Sequence, residues 1–469
     1  MAALPLDAAE DEPMIPPAAR WAGRPLKGLA LITAMRASML SVWGPSAYEL
    51  PIIPTRLYGR NRILVNDPSA VRRVLIENPL AYEKPAPTRR VTRPIIGEGL
   101  LLSEGAEWRR QRRALSPAFT PLHVEKIAPH FAEASMGLIS GIEGKGRVQL
   151  TIPLQEAALD AAARSLFSMP IGGRGADLAA LARSYVSGPG LPGVLDMIAR
   201  SEGDFAWLTP GRILFRRRWL KAVNQIVALR RAQPRHDGAL EDVLDLLIKA
   251  RDPETGAPMS DAEIRDQTAT MLAAGFETTA RATFWTLYLL ALDQREQARI
   301  RAEIMADPPS CGIQDAAHRW PRLRLALLEA MRLYPPAPML FRTALQPDRL
   351  LDVDVGKGDI IVISPWLIHR HRLLWDQPDA FIPSRFEGRE RDYLAAGAYL
   401  PFGAGPRICI GAALALTEAA IMLAMVLERF ALTLDDDREL TPISIITTMP
   451  NIDPWFRLEP VSKNSRGTS

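Results

Sequence analysis

The longest uninterrupted helical pattern in the chain, Asp261–Leu292, does most to limit what this sequence can fold into. Ser260 can cap it, and Glu263 three residues on completes a capping box. Its middle reads Leu272-Ala273-Ala274-Gly275-Phe276-Glu277-Thr278-Thr279, and three of these residues are locally costly. Gly275 weakens a helix interior by about 1 kcal/mol relative to alanine. Thr278 can bond back to the backbone carbonyl one turn earlier and bend the helix. Glu277 is a carboxylate in a largely apolar helix, which is expensive unless it is paired. One reading is a kinked core helix whose glycine permits close packing. The other is an acid–alcohol pair at a groove, suited to delivering protons, with Ala274 and Gly275 leaving room for something flat.

Helical patterning dominates 120–306 and returns over 412–430, whereas strand-like runs are short. Residues 62–65 precede the turn at Asp67-Pro68, and 359–363 lie between Gly356-Lys357-Gly358 and Pro365. The segment 441–458 reads as hairpin-like, broken by Pro450 and Pro454. No stretch is long and polar enough to separate independent domains, so the 469 residues read as one mostly helical domain with a small β component. Two cysteines exclude a disulfide scaffold, a zinc-ribbon array and an iron–sulfur cluster with four cysteine ligands. Lys+Arg at 57 against Asp+Glu at 53 is too even for a whole-surface nucleic-acid binder. The N-terminus, acidic and proline-rich over 1–17, does not resemble a signal peptide. The apolar stretch 26–43 is interrupted by Lys27 and Arg36. It reads as an amphipathic surface helix rather than a membrane span, with peripheral membrane contact the alternative.

Glu329 and Arg332 share one helix face, and that helix must end at Tyr334 because Pro335 and Pro336 follow. An exposed pair of this kind contributes a few tenths of a kcal/mol. If Glu329 is buried, it can pair with Arg385 as well, since buried charges persist only in hydrogen-bonded networks. The segment Phe402-Gly403-Ala404-Gly405-Pro406-Arg407-Ile408-Cys409-Ile410-Gly411 is the most informative. Its glycines and proline make a tight loop whose N–H groups can bond a thiolate. The helix beginning at 412 should lower the cysteine pKa. Gly411 leaves space for a large planar group, and Arg407 can neutralise an anionic substituent on it. Cys311 reads as a small hydrophobe or an exposed thiol. No motif ties any of the six histidines to Cys409, as a cysteine nucleophile would require.

These residues together resemble the cytochrome P450 haem-thiolate monooxygenases. The loop Phe-x-x-Gly-x-Arg-x-Cys-x-Gly is complete at Phe402, Gly405, Arg407, Cys409 and Gly411. Glu329 and Arg332 form the Glu-x-x-Arg helix, Arg385 the Pro-x-Arg-Phe segment, and Ala274, Gly275, Glu277, Thr278 and Thr279 the central helix. Trp108 and Arg112 are a weaker fifth match. The resemblance spans about 28–458. It implies the cytochrome P450 fold, a triangular, mainly α prism with a small β-rich lobe. A single haem domain is expected over 26–460, with a poorly ordered extension over 1–25 and a tail over 461–469.

The resemblance also implies roles. Cys409 would be the axial ligand of the iron of haem b, pushing electron density to the metal and favouring O–O cleavage. Glu277 and Thr278 would deliver protons. Trp108, Arg112, Arg342 and Arg407 would meet the haem propionates. Phe402 and Gly411 would shape the loop, and Ala274 and Gly275 would lie against the ring. Glu329, Arg332 and Arg385 would hold the loop in place. His369 is assigned no role. Substrate is expected among 89–102, 272–276, 337–340 and 445–447, which are mainly aliphatic. That suits a hydrophobic molecule such as a fatty acid, terpene, steroid or aromatic hydrocarbon. Arg89, Arg90 and Arg93 can greet a carboxylate or be solvated loop charges. Electrons are expected from a separate ferredoxin or flavodoxin with its reductase, steered by Arg109, Arg110 and Arg113. The expected protein is a cytoplasmic monomer that inserts one oxygen atom of O2 into its substrate. A peroxide-driven peroxygenase and a haem-binding sensor without turnover are the alternatives.

Overall fold

The computed structural model describes residues 13–57, 59–168, 173–232, 242–252 and 256–461. The helix Asp261–Leu292 begins at the predicted capping box. Ser260 Oγ accepts from the Glu263 N–H at 3.3 Å, and the Glu263 carboxylate accepts from the Ser260 N–H at 2.6 Å. At 1.5 Å per residue it runs roughly 48 Å. Its side chains are buried nearly all round, as befits a helix at the centre of a large domain. Around it pack the helices Ala86–Ile96, Thr151–Phe167, Pro210–Ala232, Pro321–Leu333 and Ala412–Arg429. Trp285 stacks on Tyr334 with ring centroids 4.0 Å apart, joining the central helix to the end of Pro321–Leu333.

The β component is small, as expected. One sheet has five strands in the order Ile52–Leu57, Arg60–Val65, Ile360–Ile363, Leu340–Ala344, Tyr82–Glu83. The two runs read from sequence are its parallel neighbours, with Val65 opposite Ile363. Ile63, Val65, Ile361 and Ile363 pack with Val74 and Leu350 into an apolar cluster separate from the larger helical core. The segment 441–458 divides. Pro442–Ser444 pairs with Thr448–Pro450, and the hairpin ends at Pro450, where the break was expected. Trp455–Pro460 pairs with Phe430–Leu434 and Arg147–Gln149.

Helices also form ahead of residue 120, at Ala86–Ile96 and Gly105–Leu115. The expected surface helix shortens to Gly28–Ala37, with Ile32 and Met35 turned inward. No described helix is long and apolar enough to cross a membrane. Of the extension over 1–25, residues 1–12 lie outside the described residues. Residues 14–17 are fastened: Phe381 N–H donates to the Met14 carbonyl at 2.9 Å and Tyr334 Oη to the Pro17 carbonyl at 2.7 Å. Of the tail over 461–469, only Val461 is described, and its N–H reaches the Arg429 carbonyl at 2.9 Å.

Asp348 ties the β lobe together. It accepts from Tyr82 Oη at 2.8 Å, Asn78 Nδ2 at 3.0 Å and Arg73 Nη2 at 3.1 Å. Burial opposes its charge, yet these donors and the Arg349 N–H hold the carboxyl down to about 2. A carboxyl depressed by folding stabilises above its unfolded value of about 3.9 and loses that contribution as pH falls toward the folded value. Asp348→Asn is therefore expected to lower stability by about 1–3 kcal/mol at pH 7, and by much less at pH 2. Urea midpoints across that range measure it. A constant deficit at every pH would contradict the ionic account.

Candidate active site

The loop 402–411 is shaped by backbone demands. Gly403 and Gly405 have φ of +74° and +72°, and a Cβ on Gly405 would lie 2.0 Å from the Leu75 carbonyl oxygen, so only glycine fits there. The loop turns through Gly405–Arg407 and closes with the Cys409 N–H donating to the Phe402 carbonyl at 2.9 Å. Gly411 then leads into Ala412–Arg429, and a Cβ on it would come no closer than 3.8 Å to Phe119. Cys409 is exposed by accessible area, yet burial is the largest influence on its thiol. The side chain is thus surrounded closely by protein while part of its surface stays accessible. The expected lowering of the thiol pKa is overturned. Burial pushes it up, and the Gly411 N–H and the Arg112 cation offset only part of that.

The central helix also has one bared position. Between residues 263 and 292 the one exposed residue is Ala274. Gly275 beside it has only Ala162 Cβ, at 3.7 Å, within reach of an added Cβ. Thr278 Oγ1 donates to the Ala274 carbonyl at 2.7 Å, the back-bond expected from sequence. Glu277 is paired: Gln155 Nε2 donates to it at 2.6 Å, Arg281 Nε at 2.9 Å and Thr447 Oγ1 at 3.3 Å. Among the described residues no hydrogen bond joins Glu277 to Thr278, because each turns to its own partners.

A cationic cluster lies beside the loop. Arg407 donates to the Ser103 carbonyl at 2.9 Å, pairs with Glu104 and lies over the Trp108 ring at 4.6 Å. Burial and the neighbouring Arg407 push Arg342 down to about 10. The same causes push Lys84 down to about 7, although Glu104 stands 3.6 Å from its ammonium. Trp108, Arg342 and Arg407 are thus brought together. Arg112 instead donates to the Ile408 carbonyl at 2.7 Å, on the cysteine side of the loop. Lys84 and Glu104 escaped the sequence reading, since neither lies in a motif and both act across some three hundred residues.

Glu329 is 0% exposed and does not form the weak surface pair. It takes Arg332 Nε at 2.7 Å, Arg332 Nη2 at 2.8 Å, Arg385 Nε at 3.0 Å and the Ile382 N–H at 2.9 Å. Arg332 also donates to the His369 and Pro378 carbonyls at 2.7 Å and to the Ala380 carbonyl at 2.9 Å. The helix Pro321–Leu333 thereby holds the chain that leads into the loop.

A mainly apolar cleft opens among Met35, Met39, Val91, Thr92, Pro192, Met197, Pro338, Met339, Phe341 and Ile445, with Arg62 and Asp196 as its charged lining residues. It matches three of the four expected lining segments. The central-helix segment 272–276 is absent from it, and Met35, Met39, Arg62, Pro192, Asp196, Met197 and Phe341 are among the additions. The arginines expected near a carboxylate are already paired. Arg89 meets Glu202, Arg90 Nε meets Asp196 at 3.0 Å, and Arg93 meets Glu98 and Glu202. Of the cations offered to an electron carrier, Arg110 is paired with Glu107 and Glu263. A second hollow, among Arg110, Arg113, Lys249 and Arg251, shares no residue with the loop or the central helix.

The residues present suit a flat, anionic iron porphyrin. Cys409 offers a soft sulfur ligand. The exposed Ala274 and the side-chain-free Gly275 and Gly411 offer flat surface. Lys84, Arg342 and Arg407, with Glu104 as the carboxylate among them, leave an excess of positive charge for acidic substituents. Comparison with known proteins agrees. The family model described as Cytochrome P450 matches residues 46–452. The cyclooctatin synthase of Streptomyces melanosporofaciens is 31% identical over 87% of this chain and 88% of its own. The cyclooctat-9-en-7-ol 5-monooxygenase of the same organism is 32% identical, covering 82% of each chain. The crystal structure of the cytochrome P450DA heme domain superposes with a TM-score of 0.77 at 26% identity, over 96% of this chain and 99% of that one.

Proposed function

The chain belongs to the cytochrome P450 family, an oxidoreductase family with a haem-thiolate cofactor, and from that premise we propose a monooxygenase that uses O2 and electrons from a separate ferredoxin or flavodoxin to hydroxylate or epoxidise a neutral terpene-like hydrocarbon. The observation that carries the reading is the Cys409 loop, whose glycine-dictated turn leaves the Cys409 side chain accessible, together with the bared Ala274 of the central helix. Haem b, when bound through Cys409, would supply oxygen activation, with the thiolate favouring O–O cleavage. Trp108, Arg342 and Arg407 would hold its propionates, joined by Lys84, while Arg112 would neutralise the sulfur side.

The chain's own residues then bind, orient and move protons. Thr278 keeps its hydroxyl on the Ala274 carbonyl, where it can pass a proton on without leaving the helix. Glu277 is the acid one residue away. Its pairing with Gln155, Arg281 and Thr447 sets it in place as a carboxylate, loosens when it takes up a proton from solvent and re-forms when it passes that proton on. The apolar cleft admits substrate, and two features favour a neutral one. Asp196 at the cleft is answered by Arg90 and by Arg212 at 2.6 Å, and Arg89 and Arg93 are engaged with Glu202. A fatty-acid carboxylate would therefore find Arg89, Arg90 and Arg93 engaged, and Arg62, the arginine that lines the cleft itself, directs its Nη2 to Met197 Sδ at 3.3 Å. The terpenoid names of the two Streptomyces relatives point the same way.

The test is a spectral titration followed by turnover. A neutral diterpene should shift the haem spectrum at least roughly tenfold more tightly than a fatty acid of equal carbon number, since an unpaired carboxylate in an apolar site is costly. With a separate electron carrier and O2, product should track electrons consumed. Thr278→Ala should break that coupling while electron uptake continues. Tighter fatty-acid binding would overturn the substrate class. Turnover with peroxide alone and none with carriers would overturn the reaction.

A further inference from the structure

His369 is 0% exposed, and the proton-delivery and ligand roles above do not use it. It follows the short turn Pro365–Ile368 and sits between the Glu329–Arg332 pair and the start of the cysteine loop. The Leu400 N–H donates to His369 Nε2 at 2.7 Å, so Nε2 carries no proton. The ring proton is therefore on Nδ1, which faces the Arg332 carbonyl at 3.2 Å. Arg332 also donates to the His369 carbonyl at 2.7 Å, fixing backbone and ring together. Beyond Leu400 the line continues. Gly403 N–H reaches the Leu400 carbonyl at 3.1 Å, and the next residue back, Phe402, holds the Cys409 N–H at 2.9 Å.

We propose that His369 is a positioning residue for the cysteine ligand, a two-way hydrogen-bond bridge that carries the register of the buried Glu329–Arg332 pair into the loop bearing Cys409. The position asks for a donor on one edge and an acceptor on the other, held rigidly. A neutral imidazole has both, whereas lysine and arginine have no acceptor and an aliphatic side chain has neither. Burial, with the Arg332 charge adding to it, pushes the ring down to about 3, so it stays neutral at working pH. A second tie, Tyr399 Oη to the Leu328 carbonyl at 2.8 Å, keeps the segment on the helix if the bridge is lost. The consequence of losing His369 is then local loosening at Leu400 and Cys409, with the domain still folded.

The inference rests on Cys409 being the ligand, and the test separates the two. His369→Leu removes both bonds. His369→Asn can keep the donor to the Arg332 carbonyl but falls short of Leu400, and His369→Gln can reach Leu400 with its amide oxygen. In the holoenzyme, Leu and Asn should lower the thiolate-type fraction of the reduced carbon monoxide complex and shift the reduction potential, and Gln should restore both. Amide exchange at Leu400 should speed up roughly tenfold in Leu and Asn, the factor that losing one ordinary hydrogen bond gives, and return toward wild type in Gln. Equal behaviour of Gln and Asn, or an unmoved Leu400 amide in His369→Leu, overturns the bridge. If His369→Leu does not accumulate, the Gln–Asn comparison decides alone. A wild type without a thiolate band refutes the ligand assignment, while the exchange result still reports on the bridge.

Discussion

Glu329→Ala is expected to yield little or no folded haem-binding protein. The substitution leaves Arg332 and Arg385, 0% and 2% exposed, without the carboxylate they share. Breaking a buried ion pair by removing one partner costs about 3–5 kcal/mol, because the remaining charge stays desolvated. A domain is stable by about 5–15 kcal/mol in total. Here one carboxylate serves two guanidinium groups and the Ile382 N–H, so the loss belongs at the upper end of that range. Arg332 cannot withdraw to water either, since it also serves the carbonyls of His369, Pro378 and Ala380. Burial raises the Glu329 pKa, but the Arg332 and Arg385 charges outweigh it and hold the group below the usual carboxylate range. Its contribution is therefore present at neutral pH and lost only as pH falls below that range. Glu329→Gln keeps the shape and one acceptor oxygen and should fall between. Denaturant midpoint and holoprotein yield measure the series. A Glu329→Ala protein with the wild-type midpoint would remove the network from any account of how the loop is held.

What could be read from the sequence was whatever the local backbone dictates. Gly403 and Gly405 must be glycine because of φ and the Leu75 carbonyl, so the loop carries its own signature. The Ser260–Glu263 box and the Thr278 back-bond are interactions within a few residues, and both form as read. Effects set by distant packing could not be read. Burial of Cys409 reverses the direction of its pKa, and nothing within the loop signals that. Lys84 gains meaning through Glu104 and Arg407, and His369 through Arg332 and Leu400, none of them a neighbour in the chain. The strand Arg147–Gln149 has three residues and exists because Trp455–Pro460 pairs with it. Pro94 misled, since it sits inside a helix that was not predicted, whereas the break read at Pro450 and Pro454 falls between the strands that end at Pro450 and begin at Trp455.

Cys409→Ala should abolish the red-shifted band of the reduced carbon monoxide complex and lower oxygen-dependent turnover by roughly a thousandfold or more, about 4 kcal/mol of barrier. The main-chain bond from residue 409 to the Phe402 carbonyl survives any side-chain change, and the glycine turn does not depend on the sulfur. The variant is therefore expected to fold with a denaturant midpoint near wild type, which separates loss of the ligand from loss of the loop. Cys311 is the internal comparison. It is the exposed end of the turn Pro309–Cys311, whose Ser310 bonds Glu428 on the outer end of Ala412–Arg429. Cys311→Ala should leave both band and turnover unchanged. Retention of the band in Cys409→Ala with its loss in Cys311→Ala would transfer the ligand role to the other cysteine. Retention in both would remove thiolate ligation altogether. Arg112 supplies a graded check, because its cation beside the sulfur is one of two groups that hold the thiol down against burial. Arg112→Leu removes that charge and the bond to the Ile408 carbonyl, and should weaken the band without erasing it.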